Sequence, residues 1–183
     1  GYVMFGSEIK KILITEEEIK EKCKELGAEL TKAYASDADK LMVVGLLKGS
    51  VPFMAELMKY IELPLQIDFM DVSSYEGTES SGDIRIIKDL DCSVKGLDIL
   101  LVEDIVDTGR TLSVVKQMLY NKGAQRVKIV SLLDKPDRRV VDIEADYVGF
   151  TIPNEFVVGY GLDYNQKYRN LPYIGILKPE IYE

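Results

Sequence analysis

The residues with the clearest chemical potential follow an apolar segment, 99–102, in the middle of the chain. Three carboxylates and a Thr-Gly-Arg-Thr turn come next, namely Glu103, Asp104, Asp107, Thr108, Gly109, Arg110 and Thr111. The start of a helix presents free N–H groups and a partial positive charge, which suit a phosphate. Carboxylates just before it can accept hydrogen bonds from ribose hydroxyls. The spacing predicts a sugar-phosphate site, although any one acidic residue could belong to an ordinary solvated turn.

The composition limits the chemistry that such a site can use. The chain of 183 residues contains no histidine, so a general base must be a carboxylate, a lysine or a tyrosine. Cys23 and Cys92 are far apart and show no disulfide or zinc spacing. A divalent cation is therefore expected to have oxygen ligands, which favours Mg²⁺.

The charge of the chain weighs against a nucleic-acid partner. The formal net charge is -8, whereas nucleic-acid binding depends on cationic contacts to phosphates. The apolar runs are too short for a membrane span, and no signal peptide is recognisable. We therefore expect no nucleic-acid partner, no membrane partner and a cytoplasmic location.

Strands and helices alternate along the chain, and these elements must position the site. Helices are predicted for about twenty residues after a capping box at Thr15 and Glu18, from Pro52 to about Tyr60, and from Arg110 to about Asn121. Strands are predicted at 41–47, 65–72, 84–87, 99–102, 127–133, 145–150, 156–160 and 173–177. This alternation is typical of an α/β fold with a doubly wound parallel sheet, whose ligands bind beyond the carboxyl ends of the strands.

One segment is predicted to be a mobile loop. Residues 73–83 consist mainly of Gly, Ser, Thr and Glu, with Tyr75 as the large side chain. The following strand, at 84–87, could pair back as a hairpin.

The string from Val102 to Thr111 resembles the phosphoribosyl-pyrophosphate fingerprint of type I phosphoribosyltransferases, and its flanks resemble the hypoxanthine-guanine branch. Further segments agree in the family's order: Leu47-Lys48-Gly49-Ser50, Ser74-Tyr75, Lys135 with the segment 156–160, and the segment that contains Asp163 and Arg169. The resemblance extends from about Ile12 to Ile176. Arg110 replaces the lysine common in the family, and Ser50 replaces a second glycine seen in some members.

The resemblance implies a type I phosphoribosyltransferase fold in a single domain, 1–183. Its core, at about 15–150, would be a doubly wound parallel sheet flanked by helices. The N-terminal segment and residues of about 151–183 would form a small hood lobe, and the mobile loop would be the catalytic loop. A homodimer or a homotetramer is implied, and no residue pattern decides between them.

The implied reaction is transfer of a phosphoribosyl group from 5-phosphoribosyl 1-pyrophosphate to a 6-oxopurine base, with Mg²⁺ as cofactor. The phosphoribosyl group would be bound by Glu103, Asp104, Asp107, Thr108, Gly109, Arg110 and Thr111. Pyrophosphate would be bound by Leu47, Lys48, Gly49, Ser50 and Arg169, the purine by Lys135, Phe156, Val157 and Asp163, and the metal by Glu103, Asp104 and Asp163. Asp107 would act as the acid or base near the purine N7, and Ser74 and Tyr75 would close over the site.

Two alternatives stay open at this point. The chain could be a relative that prefers xanthine, since base preference depends on the positions of main-chain carbonyls, or one that uses uracil or adenine. It could also be a regulator that senses phosphoribosyl pyrophosphate and binds nucleic acid, although the acidic balance weighs against this. Lys135 favours an acceptor at C6 of the base and so disfavours adenine.

Overall fold

Parallel strands form the centre of the computed structural model, which describes residues 4–74 and 83–183. The helices are α1 (Glu16–Tyr34), α2 (Val51–Leu57), α3 (Arg110–Asn121) and α4 (Pro179–Tyr182). The strands are β1 (Ile9–Ile14), β2 (Leu41–Leu46), β3 (Gln66–Ser74), β4 (Ile84–Lys88), β5 (Asp98–Val106), β6 (Arg126–Asp134), β7 (Tyr147–Thr151), β8 (Val157–Val158) and β9 (Ile174–Leu177). Short 3-10 helices occupy Ala35–Lys40, Met58–Tyr60 and Pro136–Arg138.

The larger sheet has six strands in the order β4-β3-β2-β5-β6-β7. Neighbours from β3 to β7 pair in parallel, and β4 pairs antiparallel with β3. The predicted parallel sheet and the predicted hairpin are thus confirmed. Chain order reverses between β2 and β5, and such a switch point is where open α/β sheets bind their ligands.

Helices pack on both faces of this sheet, because alternate residues of a buried strand point to opposite sides. Val43 and Leu100 lie in one apolar cluster with α1 and α2. Val44 and Leu101 lie in a second cluster with α3. All six residues of β2 are buried, so the strand that leads into the site is rigidly embedded.

A smaller antiparallel sheet combines the two ends of the described chain, in the order β1-β9-β8. The sequence did not predict β1 as a strand. Its apolar residues acquire partners only when β9 pairs with it, and those partners are more than 150 residues away along the chain. This sheet carries the loop that contains Asp163 and Arg169 to the site.

Local signals placed the main helices correctly. The Thr15 side chain accepts a hydrogen bond from the Glu18 N–H at 3.1 Å, and the Glu18 carboxylate accepts one from the Thr15 N–H at 3.1 Å, which confirms the capping box. Helix α3 begins and ends where predicted. Helix α2 ends at Leu57 and tightens into a 3-10 turn at Met58–Tyr60. Within the described parts of the chain, no helix has the length and apolar character to cross a bilayer.

Several strand limits differ from the prediction. Strand β5 continues to Val106 because its ladder with β6 continues, so Glu103 and Asp104 lie in a strand and not in a turn. Ser74, predicted in the loop, ends β3 and pairs with Ile84. Strand β8 contains two residues because the chain turns at Gly159, where φ is 100°. Tyr75 lies outside the described residues.

We expect Thr15→Ala to lower the free energy of unfolding by about 1 kcal/mol, because it removes the side-chain cap of α1. Thr15→Ser keeps the hydroxyl and is the matched control. Urea unfolding of the two variants and the wild type measures the difference. Equal losses in both variants would show that the cap contributes nothing.

Candidate functional site

The loops that follow β2, β5 and β6 meet at the carboxyl edge of the large sheet. Glycine at position 49 allows the closest of these contacts, because a Cβ there would overlap the Asp104 carboxylate. The Asp104 Oδ1 atom also accepts a hydrogen bond from the Ile105 N–H at 2.7 Å. The fold therefore joins the predicted pyrophosphate loop to the predicted ribose-binding acids at the switch point.

The carboxylates of Glu103 and Asp104 are the main concentration of negative charge at this edge. The pKa of Asp104 is raised to about 6, mainly by burial and also by the charge of Asp163, while the Ile105 N–H and the charge of Arg169 oppose the shift. Burial and the charge of Asp104 raise the pKa of Glu103 well above its ordinary value. The pair is costly to ionise in the free protein, so a cation or hydroxyl donors bound there would be stabilising.

The turn after β5 has the form of an anion cradle. Gly109 adopts the left-handed conformation, with φ of 86°, and α3 begins directly after it without a side-chain cap. Within the part of the chain that the structure describes, no side chain caps the first N–H groups of α3, apart from the Arg110 N–H, which approaches the Thr108 Oγ1 atom at 3.4 Å. A cavity of about 160 Å³ is lined by Glu103 and by residues 105–112.

A larger cleft of about 550 Å³ adjoins this turn. Ser74 and Asp83, which flank the segment 75–82, line this cleft together with residues of the phosphate turn and the start of α3. The full lining consists of Ser74, Asp83, Ile84, Thr108, Arg110, Thr111, Asp137, Arg138, Arg139, Val140 and Asn154. The predicted catalytic-loop residue Ser74 therefore faces the same cleft as the phosphate turn.

Two arginines of this cleft were not identified as site residues from the sequence. The Arg138 Nε atom donates to the Asp107 Oδ1 atom at 3.1 Å. The Arg139 Nε atom donates to the Asp107 carbonyl oxygen at 3.1 Å, and its guanidinium pairs with Asp134. Their position just after a strand that ends at the carboxyl edge was the signal that could have identified them.

Lys135 and Phe156 lie together beyond the end of β6. The Lys135 Nζ atom donates to the Glu155 carbonyl oxygen at 2.8 Å, and burial lowers the pKa of this lysine. Phe156 is 37% exposed, so it does not belong to the core. Its ring stacks on Tyr182 with centroids 4.6 Å apart. Val157 is buried at the start of β8. The structure thus brings the predicted purine-binding residues Lys135, Phe156 and Val157 together.

Asp163 lies in a different group of contacts, with Arg169. The Arg169 Nη2 atom is 3.5 Å from the Asp163 Oδ1 atom, and the Nη1 atom donates to the Gly161 carbonyl oxygen at 2.6 Å. Glycine is required at position 161, because a Cβ there would overlap the Gly49 carbonyl oxygen. This contact brings the Arg169 segment against the pyrophosphate loop.

The predicted pyrophosphate loop carries further distinctive features. The Leu47-Lys48 peptide bond is cis. The Lys48 Nζ atom donates to the Gln166 Oε1 atom at 3.3 Å, and Gln166 was not identified from the sequence. Ser50 is fully buried, and its hydroxyl has no hydrogen-bond partner among the residues described.

The proposed metal ligands do not form one cluster. Across residues 4–74 and 83–183, no three acidic or cysteine side chains are grouped to hold a metal ion. Glu103 and Asp104 are adjacent on β5, whereas Asp163 acts on Asp104 electrostatically from the neighbouring loop. A metal bound here would need ligands from a substrate as well.

We expect Asp104→Asn to stabilise the ligand-free protein at pH 8 by about 1 to 2 kcal/mol, because it removes a charge that burial disfavours. The pKa of Asp104 is raised from 3.8 to about 6, so the folded state holds this proton more tightly than the unfolded chain. Wild-type stability should therefore fall as the pH rises through this window. The variant should lack the part of that fall that Asp104 contributes, while Glu103, whose pKa is also raised, still contributes its own.

Urea unfolding at pH 4 and pH 8 checks this expectation. Asp142→Asn is the matched control, because Asp142 is exposed and its substitution should have little effect at either pH. A stability gain for Asp104→Asn of equal size at both pH values would contradict the electrostatic explanation.

Comparisons with known proteins agree with this geometry. The profile of the phosphoribosyl transferase domain matches residues 11–165. The chain is 61% identical over 175 residues to the hypoxanthine-guanine phosphoribosyltransferase of Lactococcus lactis subsp. lactis, covering 95% of this chain and 94% of that protein. It is 57% identical over 181 residues to the Bacillus subtilis protein of the same name, covering 98% and 99%.

A solved structure supports the same relationship. A hypoxanthine phosphoribosyltransferase from Staphylococcus aureus superposes with a TM-score of 0.93 and is 53% identical, with the whole of both chains covered. Sequence and fold therefore agree over the same residues that build the edge of the sheet described above. The chain belongs to the phosphoribosyltransferase family, in its hypoxanthine-guanine branch.

Proposed function

We propose that the protein transfers the 5-phosphoribosyl group of 5-phosphoribosyl 1-pyrophosphate to N9 of hypoxanthine and guanine. The products are IMP or GMP and pyrophosphate, which makes the protein a purine salvage enzyme. One observation carries the proposal: the anion cradle after β5, the acid pair and the lysine beside Phe156 share one edge of the sheet. The names of relatives that are 57% and 61% identical support the same bases.

The phosphoribosyl group is bound by the turn and the acids of β5. The backbone N–H groups of 108–111 and the positive end of α3 hold the 5-phosphate. Glu103 and Asp104 accept hydrogen bonds from the ribose hydroxyls. The raised pKa values of these two acids support this role, because hydroxyl donors compensate for the water that burial removes.

Asp107 acts as the acid or base. Its carboxylate lies beside the purine N7 atom and accepts the proton that the base loses there as N9 forms its bond to the ribose carbon. In the free protein its carboxylate pairs with Arg138, and both side chains are about half exposed, at 44% and 51%. Such an exposed pair contributes about 0 to 1 kcal/mol, so a purine base can replace it at little cost.

The purine pocket selects for an oxygen at C6. Lys135 carries donors only, so it binds the O6 acceptor and leaves the donor amine of adenine unpaired. Phe156 stacks on the ring, and the Val157 carbonyl accepts from the exocyclic amine of guanine. Support comes from the exposed ring of Phe156 and from the Lys135 ammonium, which a carbonyl holds in place.

Charge grows on the leaving pyrophosphate as the ribose carbon becomes an oxocarbenium ion. This charge is stabilised by the Arg169 guanidinium and by the loop that consists of Leu47, Lys48, Gly49 and Ser50. The Ser50 hydroxyl and the Arg169 Nε atom, which have no hydrogen-bond partner within residues 4–74 and 83–183, support a polar ligand here. Ser74 and Tyr75 cover the site and exclude water, which would otherwise capture the cation.

Mg²⁺ is the cofactor in this proposal, with Glu103, Asp104 and Asp163 as its protein ligands. The residues fit, because Mg²⁺ is commonly held by one or two carboxylates together with substrate phosphates and water. The raised pKa values of Glu103 and Asp104 indicate carboxylates that lack a positive neighbour strong enough to offset their burial. Bound Mg²⁺ supplies positive charge that stabilises the leaving group.

The wider setting follows from the same reaction. The partners are small molecules and a second copy of this chain, in a homodimer or homotetramer. Exposed apolar side chains at Ile67, Ile86 and Ile87 support assembly.

A single domain, with a core of about 15–150 and a hood above it, fits this scheme. We place the protein in the cytoplasm, because a highly charged sugar phosphate does not cross a bilayer.

The direct experiment mixes the protein with 5-phosphoribosyl 1-pyrophosphate, Mg²⁺ and one free base at a time. We expect nucleotide to form from hypoxanthine and guanine. For adenine and uracil, which do not match the hydrogen-bonding groups of the pocket, we expect kcat/KM to be lower by a factor of at least about one hundred. Xanthine is included as a substrate, because a higher kcat/KM for xanthine than for hypoxanthine and guanine would indicate a xanthine-preferring enzyme. Nucleotide formation from none of these bases would overturn the proposed function.

We expect Asp107→Asn to slow nucleotide formation at least about tenfold, since it removes the general base. Binding of 5-phosphoribosyl 1-pyrophosphate should change little, because the backbone of the phosphate turn is retained. Asp142→Asn is the control and should be fully active, because Asp142 is exposed and shares a surface cavity with Ser113 and Lys116 of α3. Unchanged turnover in Asp107→Asn would remove this residue from the mechanism.

A further inference from the structure

Gln166 stands between two cations that come from distant parts of the chain. Its Oε1 atom accepts from the Lys48 Nζ atom at 3.3 Å and from the Arg169 Nη2 atom at 3.3 Å. Lysine and arginine side chains are donors only, so the amide must direct its oxygen towards both. A neutral acceptor holds two like charges near each other without removing either charge.

The backbone at Gln166 adds an independent observation. Tyr164 and Lys167 exchange backbone hydrogen bonds at 3.1 and 3.0 Å, with Asn165 and Gln166 between them at φ of 51° and 67°. Positive φ at both central residues defines a type I′ turn, which normally has Asn followed by Gly. A side chain at the second position is strained, and strain of this kind is typical of functional positions.

The Gln166 backbone is also anchored within the site. Its backbone N–H donates to the Asp163 Oδ2 atom at 2.9 Å. Arg169 keeps a buried Nε atom that has no partner among the described residues. A donor left in this state, on one of two neighbouring cations, points towards an anionic ligand.

We propose that Gln166 is a positioning residue that holds Lys48 and Arg169 together so that both bind the pyrophosphate group. This inference rests on the proposed function and extends it to a residue outside the predicted site. Two cations fixed in place bind an anion better than two flexible ones, because less side-chain entropy is lost on binding. Gln166 itself needs no contact with the substrate.

The test compares Gln166→Gly with Asn165→Gly. Gln166→Gly relieves positive φ at the second turn position and should raise the melting temperature by about 2 to 4 °C. Asn is already favoured at the first position, so Asn165→Gly should change the melting temperature little. Only Gln166→Gly removes the shared acceptor. We expect it to raise KM for 5-phosphoribosyl 1-pyrophosphate and Kd for inorganic pyrophosphate by about threefold to tenfold, with KM for hypoxanthine unchanged.

A second variant separates the amide from the shape of the side chain. Gln166→Met has a similar length but lacks the oxygen acceptor, and we expect the same weakening as in Gln166→Gly. Wild-type KM and Kd in both variants, or tighter pyrophosphate binding, would overturn the inference. An equal loss in Asn165→Gly would also overturn it, because the turn and not the side chain would then be responsible.

The pyrophosphate titration also keeps the two proposals apart. It follows binding calorimetrically in the presence of Mg²⁺ and needs no base and no turnover. If the wild type makes no nucleotide, the proposed function fails, yet the Kd values still decide the role of Gln166. If the wild type is active and the Gln166 variants match it in KM and Kd, this inference alone fails.

Discussion

The parallel pairing of β2 with β5 is the constraint on which the site depends. Their ladder runs from Leu41 opposite Asp98 to Gly45 opposite Val102, so both strands deliver their carboxyl ends to one place. The loop after β2 then meets the acids of β5, and Gly49 leaves room for the Asp104 carboxylate. The apolar clusters on both faces of the sheet hold this pairing in position. A shift in register would separate the loop from the acids.

The site sets the partly buried acids Glu103 and Asp104 against the partly buried Arg169 and the exposed Lys48, and the free protein bears the cost. Glu103 and Asp104 have raised pKa values because burial removes water that their charges need. Arg169 has a buried donor without a partner in the described chain. Groups that are unsatisfied without a ligand lower stability and favour binding, which is a common relation between stability and function. The small sheet of β1, β9 and β8 contributes by bringing the Arg169 segment against the Gly49 loop.

Much of the fold could be predicted because its signals are local. The capping box at Thr15, the glycine turn before α3 and the uninterrupted apolar run of β2 each depend on residues close in sequence. The acids and the phosphate turn form one short string for the same reason. The limits of the strands were less predictable: β5 extends through Glu103 because β6 continues to pair with it.

The sequence by itself determined the fold class and the turn that can hold a phosphate, because neighbouring residues encode them through periodicity, capping and spacing. The family was indicated by the resemblance of its motifs to those of type I phosphoribosyltransferases. Only the tertiary structure decided which side chains meet. Arg138 reaches Asp107 across 31 positions, and Gln166 reaches Lys48 across 118. Contacts of this kind depend on how the strands are ordered in the sheet and how the small sheet packs against them. No local pattern specifies that arrangement, since the free energy that selects it comes from burial summed over the whole chain.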